Sequence, residues 1–413
     1  MKNELEGLIM SKFDTYFLMK TDDAIEYAKV KVPQMDWDDA TMTCKEIGDG
    51  NLNYVFKVTD GKGHSVIIKQ AGGEARISSD MKLDTDRNRI ESEILVLQGK
   101  LAPGYVPEIY FYDTVMSACG MQDLSDHQIM RTAMLEHKIF PKFADQISTF
   151  MAQVLMGTTD IVMDHQEKKD LQRKFINPEL CDISEALVYT EPYNDEMHRN
   201  NVFAPIADFV KEKLYEDEEL HCEVAKLKMD FMTRAQSLIH GDLHTGSIFI
   251  NEESTMVFDP EFCFYGPMGY DIGNVIANMI FAWANGDAYG NTEFCKWVED
   301  VIVDVVNMTM DKLRTYYEAN VTDTMCKNKA YEDYYMSTIL ADTSAVTGLE
   351  LTRRIVGMAN VKDITSIEDE GKRARAEKIC ITAAIDFIKN RDDKMCGKCF
   401  LRTLKEAIAA VDA

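Results

Sequence analysis

The strongest constraint on folding is a change of periodicity along the chain. Between residues 41 and 69, three short segments rich in β-branched and aromatic residues (41–47, 54–58 and 65–69) alternate with the turn formers Gly48-Asp49-Gly50 and Asp60-Gly61-Lys62-Gly63. Short strands joined by turns in succession predict an antiparallel sheet. More strand-like sequence lies at 108–111 and 114–121. A helix is expected over 85–98, with Asp84 as N-cap and Gly99 just past its end. The first forty residues read as amphipathic helix, with Leu8, Phe13, Phe17 and Leu18 among charges. From about residue 125 onward the periodicity is helical, apart from a strand pair around 247–258. Strands first and helices later predict an α+β, bilobal protein: a small antiparallel-sheet lobe over 1–121 and a larger, mainly helical lobe over 122–413.

The length, 413 residues, suffices for two cores. Asp and Glu number 70 against 45 Lys and Arg, a net charge of −25, which argues against nucleic acid or an anionic membrane as partner. One anion such as ATP remains compatible, given a local concentration of cations. The start, Met1-Lys2-Asn3-Glu4-Leu5-Glu6, lacks the pattern of a signal peptide, so none is expected. The near-apolar stretch 275–284, broken by Asn278, is too short to span a bilayer and reads as a buried helix. A cytoplasmic location is therefore the expectation. The ten cysteines are scattered, several inside apolar runs, which suits reduced thiols. Cys396-Gly397-Lys398-Cys399 has metal or redox spacing but no second pair at zinc-site distance, which favours a structural reading.

Chemistry is concentrated in His240-Gly241-Asp242-Leu243-His244-Thr245-Gly246-Ser247 and, 17 residues after Asp242, in Asp259-Pro260-Glu261. The intervening Ile248-Phe249-Ile250 and Met256-Val257-Phe258 look like a hairpin, whose outer ends meet, so Asp242 can converge with Asp259 and Glu261. Gathered carboxylates need a cation, and Mg²⁺, which takes one or two of them plus phosphate oxygens, is the natural guest. Alone, either motif is as readily a turn or a polar loop.

Upstream, Lys69 ends the apolar run Val66-Ile67-Ile68. Such a residue is usually solvated, but the following helix offers a counter-ion. Ile90, Ile94 and Leu97 follow helical spacing, Val96 falls off that face, and Glu91 sits nearer to it than Glu93. The competing reading is a surface pair of Arg87 with Glu91 at i,i+4 spacing. Ahead of Lys69, the segment from Gly48 and Gly50 through Asn51 to Asn53 can bring backbone amides close to phosphates. A Gly-rich hairpin, a strand Lys, a helix Glu, a His-Gly-Asp loop and a metal-binding Asp are, in that order, the parts of phosphoryl transfer on a protein-kinase-like fold. The chain has no Gly-x-x-x-x-Gly-Lys-Ser/Thr, which excludes a Walker-type enzyme.

The His240-Gly241-Asp242-Leu243-His244 form resembles the aminoglycoside phosphotransferase and choline kinase group. Within it, that block through Ser247, Asp259-Pro260-Glu261-Phe262, Arg353-Arg354-Ile355-Val356-Gly357 and the block starting Asn177-Pro178-Glu179 are similar to the methylthioribose kinases. Ser247, where other members place a magnesium-binding Asn, fits that branch. The resemblance implies transfer of the ATP γ-phosphoryl to the 1-hydroxyl of 5-methylthioribose in methionine salvage, by a homodimer. It implies that Asp242 orients that hydroxyl and accepts its proton, that Asp259 and Glu261 hold Mg²⁺, and that Lys69 contacts the phosphates beneath the Gly48–Asn53 loop. Backbone groups of Gln122, Asp123 and Leu124 would grip adenine at a hinge, and Arg353 and Arg354 would lie near substrate and transferred phosphate. From spacing alone, adjacent helical arginines project about 100° apart, so one could be solvated.

One departure is that the loop 77–83 carries no Trp where family members can have one, which leaves any lid role for it open. Two other readings are a related kinase for another sugar, an amino alcohol or an aminoglycoside, and a binding protein on a decayed kinase scaffold.

Overall fold

The computed structural model describes residues 11–47, 53–72, 74–75, 78–82 and 86–413. The chain divides into two compact units, Met1–Lys100 with Val106–Ser125, and Leu101–Tyr105 with Asp126–Ala413. Gly48, Gly50 and Asn51, expected on a phosphate loop, lie outside the described residues, as do Leu8 and Asp84.

The first unit holds a five-stranded antiparallel sheet of β1 (Thr43–Ile47), β2 (Asn53–Thr59), β3 (Ser65–Ala71), β4 (Ile109–Asp113) and β5 (Ala118–Met121), in the order β1-β2-β3-β5-β4. Asp60 closes the β2–β3 turn by accepting from the amides of Lys62 and His64 at 3.0 and 2.9 Å, the local hydrogen bonding that makes Asp a turn residue. Phe56, Val58, Val66, Ile68 and Ala118 bury one face against Ala24, Tyr27 and Ala28 of α1 (Thr21–Lys31). The Tyr27 hydroxyl donates to Asp113 at 2.8 Å, and Lys31 pairs with the same carboxylate at 2.7 Å.

The N-terminal expectation needs correction where the chain is described: within residues 11–40 only α1 is α-helical, preceded by a single 3-10 turn, Lys12–Asp14. Phe13 is buried from that 3-10 turn and Met19 from extended chain, and the Met19 amide donates to the Gln70 side chain at 3.0 Å. Tertiary anchoring thus replaces helix there. Gly99 is likewise inside α2 (Asp86–Leu101) rather than past its end. The roughly 1 kcal/mol a helical glycine costs is small against burial of Ile90, Ile94 and Leu95 along the same helix. Val96, off the apolar face, is 41% exposed. Within 77–83, Ser78–Lys82 pairs antiparallel with Glu74–Ala75.

The second unit is mainly helical. It contains α3 (Met130–Leu135), α4 (Phe143–Gly157), α5 (Pro178–Leu187), α6 (Glu218–Thr233), α7 (Gly269–Ala288), α8 (Thr292–Asn320), α9 (Lys329–Val356), α10 (Lys362–Thr365), α11 (Glu370–Lys389) and α12 (Gly397–Asp412). The expected buried helix at 275–284 is the middle of α7, which packs on α8, α9 and α11 and exposes almost none of its length. A Cβ on Gly273 would lie 2.8 Å from the Thr343 carbonyl and the Thr347 amide, so glycine there permits close approach of α7 and α9. No helix among the described residues is long and apolar enough to cross a membrane.

Short strands carry the motifs. The expected hairpin is present as β8 (Ile248–Ile250) and β9 (Thr255–Val257), with β6 (Gln128–Ile129) on the far side of β8. A second pair joins β7 (Ser237–Ile239) to β10 (Phe264–Gly266).

Candidate active site

In the first unit, Val55 and Cys119 flank Lys69 in register across the sheet. Its Nζ meets both carboxylate oxygens of Glu91 at 2.8 and 2.7 Å, and Glu91 is 2% exposed. Glu93 instead takes Arg89 at 2.7 Å on the helix surface. Glu91, nearer the apolar face than Glu93, is the one that reaches Lys69, and this pair is a buried one. Asn53 opens β2 and is buried. The Gln122 amide donates to the Glu108 carbonyl at 2.8 Å, Asp123 pairs with Lys57 at 2.7 Å, and Leu124 is buried.

In the second unit, the loop after β7 is held by α7. Asp271 accepts from the amides of His240 (2.7 Å) and Gly241 (3.0 Å). Burial pushes the Asp271 carboxyl up, while His240 and the two amides pull it back. One helical turn or two further on, Asn278 accepts from the Thr245 hydroxyl at 3.1 Å and donates to the Asn274 carbonyl at 2.9 Å. Gly241 has φ +81°, and a Cβ on it would lie 2.3 Å from the Phe262 carbonyl oxygen. The His-Gly-Asp loop therefore rests directly on the Asp-Pro-Glu-Phe loop.

More bonds join the two loops. The His240 Nδ1 accepts from the Asp242 amide at 3.3 Å, leaving Nε2–H to donate to the Phe258 carbonyl at 3.0 Å. The Phe258 amide donates to the Ser247 carbonyl at 3.1 Å. Asn177, at the start of α5, donates to the carbonyls of Glu261 (2.8 Å) and Cys263 (3.1 Å). Asp259 follows Phe258 with φ +63°, a left-handed backbone that costs a non-glycine residue energy and concentrates at functional sites.

Asp242 is surrounded by donors. Arg353 Nη2 lies 3.1 Å from Oδ1, Arg354 Nη2 3.6 Å from the same oxygen, and His244 Nε2 3.3 Å from Oδ2. Both arginines also pair with Glu350, which is 1% exposed, Arg354 through Nε at 3.0 Å and Arg353 through its own Nε. The concern that one arginine is solvated is thus removed: the last turn of α9 presents both to a shared carboxylate. Burial would raise the Asp242 carboxyl, yet His244 and the two guanidinium groups outweigh it and hold it well below the usual range. Burial pushes His244 down despite Asp242, so the charge that steadies Asp242 at neutral pH comes from the arginines. The His244 Nδ1 accepts from the Gly246 amide at 3.0 Å, which directs Nε2–H to Asp242. The Ser247 hydroxyl donates to the Asp242 carbonyl at 3.0 Å and is buried.

Among the described residues no group of three His, Cys, Asp or Glu side chains is arranged to hold a metal ion, and the compensation of Asp242 comes from guanidinium groups. The sequence reading missed Asp271, Glu350, His244 and the asparagines of α7. A signal existed: Asp271, Asn274, Asn278 and Asn285 form a polar stripe at helical spacing in an otherwise apolar helix.

Gly241→Ala tests the loop contact. It should lower the melting temperature by several degrees and turnover by about 10²-fold or more, since about 1–2 kcal/mol of left-handed strain adds to the clash with Phe262. A variant with wild-type turnover would show that the two loops need not touch.

This α+β, two-unit architecture and donor-ringed carboxylate define a class. The chain belongs to the phosphotransferase enzyme family, whose model matches residues 43–292. It is 36% identical over 350 residues to the methylthioribose kinase of Bacillus pumilus, covering 84% of this chain and 87% of that one. A Bacillus cereus methylthioribose kinase is 34% identical over 412 residues, covering 96% of this chain and 100% of its own. Among solved structures, choline kinase from Cryptosporidium parvum Iowa II aligns over 94% of this chain and 96% of its own, at 10% identity and a TM-score of 0.49. Within the class, the chain belongs to the methylthioribose kinases.

Proposed function

We propose that the protein transfers the γ-phosphoryl of ATP to the 1-hydroxyl of 5-methylthioribose, giving 5-methylthioribose 1-phosphate and ADP. The observation that carries this reading is Asp242, held ionised and oriented by Arg353, Arg354 and His244 in a chain of this family. The sugar O1 attacks the γ-phosphorus, the bond to the β-phosphate bridging oxygen breaks, and ADP departs. So acidic a carboxylate is a poor base for a neutral hydroxyl. Its work is to orient O1–H and to accept the proton late, once the new ester bond has made that proton acidic. The arginines offset the negative charge that the phosphoryl group and Asp242 bring together.

Lys69, oriented by Glu91, would contact the ATP phosphates, and the loop from Gly48, Gly50 and Asn51 to Asn53 would cover them. The Gln122 amide is given to Glu108, so adenine would be read by other backbone groups of Gln122, Asp123 and Leu124. The donor set Asp259 and Glu261 suits Mg²⁺, which takes one or two carboxylates and fills its octahedron with phosphate oxygens and water. When bound, that ion would neutralise charge on the ATP phosphates. The same reading makes the enzyme a cytoplasmic homodimer of methionine salvage.

The alternative of another sugar, an amino alcohol or an aminoglycoside as acceptor is not favoured, because the named relatives are methylthioribose kinases. An ATP-consumption assay over methylthioribose, choline, homoserine and kanamycin decides it. Turnover should be at least about 10²-fold higher on methylthioribose; turnover confined to another acceptor rejects the proposal.

A further inference from the structure

Phosphoryl transfer makes no use of Cys396-Gly397-Lys398-Cys399. Spacing alone favours a structural reading of that motif, but the fold adds a distance. The two sulfurs lie 3.6 Å apart, and both thiols are free and half-buried. Cys396 is the N-cap of α12, and Cys399 stands in the first turn of the same helix.

The backbone that carries them is fixed from two sides. The Gly397 amide donates to the Asn307 side chain at 2.9 Å, and a Cβ on Gly397 would lie 2.3 Å from the Val303 carbonyl oxygen. The turn therefore sits directly on α8. Phe400 is fully buried with its ring 5.5 Å from that of Phe387 on α11, and the Thr403 hydroxyl donates to Asp386 at 2.8 Å. The Cys399 amide closes the turn on the Cys396 carbonyl at 2.8 Å. A disulfide bond is about 2.05 Å long, so the sulfurs have only about 1.5 Å left to close.

Chemistry selects between the two common uses of paired cysteines. A structural zinc ion takes four ligands, and among the described residues no three His, Cys, Asp or Glu side chains gather for a metal. Thiol–disulfide exchange needs only two thiols, one of them available as thiolate. Burial raises the Cys399 thiol, but the Cys396 thiol and the amides of Met395 and Cys396 outweigh it and bring Cys399 below the usual thiol value. By contrast, burial pushes up the thiols of Cys44, Cys119, Cys181, Cys263, Cys295, Cys326 and Cys380.

We propose that Cys396 and Cys399 form a reversible dithiol–disulfide site that exchanges with low-molecular-weight disulfides. The Cys399 thiolate attacks one sulfur of the small disulfide. That S–S bond breaks, leaving a mixed disulfide on Cys399 and releasing one small thiolate. Cys396 then gives up its proton and attacks the Cys399 sulfur, the mixed disulfide breaks, and the second small thiolate leaves. The protons of the two protein thiols pass to the departing thiolates. The protein dithiol is thus oxidised by two electrons while the small disulfide is reduced to two thiols. The new bond staples the turn that starts α12 in the geometry it already has.

Oxidised glutathione is the probe. Incubated with the folded, full-length protein near neutral pH and quenched by alkylation, it should give a Cys396–Cys399 linked peptide lighter by two hydrogens. The exposed Cys222 should remain largely free to alkylate, and dithiothreitol should restore both thiols. In Cys396→Ser the exchange should stop halfway, with at least about tenfold more glutathione retained on Cys399 than in wild type. In Cys399→Ser, modification of Cys396 should be at least about tenfold slower than modification of Cys399 in wild type. Oxidised wild type should melt no lower than the reduced protein, because the bond forms from native geometry. Modification led by Cys222 or another cysteine overturns the proposal, as does glutathione that stays on wild-type Cys399 without passing to a Cys396 bond. An oxidised form that melts below the reduced one also overturns it. A pair that resists oxidised glutathione altogether assigns the thiols to capping α12 and rejects the exchange site.

Discussion

Asp242→Asn is expected to cut turnover about 10²–10⁴-fold while ATP affinity stays within a few-fold of wild type. Measuring kcat together with calorimetric nucleotide binding checks both halves. Asn keeps the size of the side chain and can still accept from one arginine, so the loop geometry set by Asp271, His240 and Gly241 survives. The charge proposed to orient O1–H and take its proton does not. The variant also predicts a change in pH dependence. The folded-state value of Asp242 is lowered, so this carboxylate stabilises the fold above the unfolded value near 3.8 and loses that contribution as pH falls through the lower folded value. Asp242→Asn should therefore melt below wild type at pH 7, and the gap should close in strong acid. Full turnover in the variant would remove Asp242 from the mechanism.

Glu350→Gln carries the second large effect. Glu350 is buried with both arginines on it, and they counter its desolvation so that its carboxyl lies below the usual value. Removing one charge from a buried cluster leaves the others uncompensated, which costs about 3–5 kcal/mol. Arg353 and Arg354 would then swing toward Asp242 or solvent. The expected result is a melting temperature lower by roughly 3–6 °C for a chain of this size, together with a kcat loss of about 10²–10³-fold. Restoring the shape without the charge fails on this account, so Glu350→Met should be no better than Gln. A Gln variant with normal stability and turnover would mean that the arginines are positioned by the α9 backbone alone.

Much of the site was legible because its parts are local. The hairpin between Ser247 and Phe258 announces itself through two short apolar runs, and the Lys69–Glu91 pair follows from strand and helix phase within one unit. The N-terminal segment was misread because Phe13, Phe17 and Leu18 imitate helical spacing. Their burial is decided by distant partners such as Gln70 and Tyr27, and Leu18 is in fact exposed. The charge compensation of Asp242 was illegible for a similar reason: it comes from residues more than a hundred positions away.

By itself the sequence determined the order of strands and helices, the carboxylate proposed to react, the lysine and its partner, and the family. Each depends on short-range periodicity, turn chemistry or a contiguous motif. Tertiary structure alone decided that α7 holds the His-Gly-Asp loop through Asp271 and Asn278, and that Arg353 and Arg354 share Glu350 and Asp242. Those arrangements depend on which buried polar groups find partners when helices pack, and a linear pattern does not encode those partners.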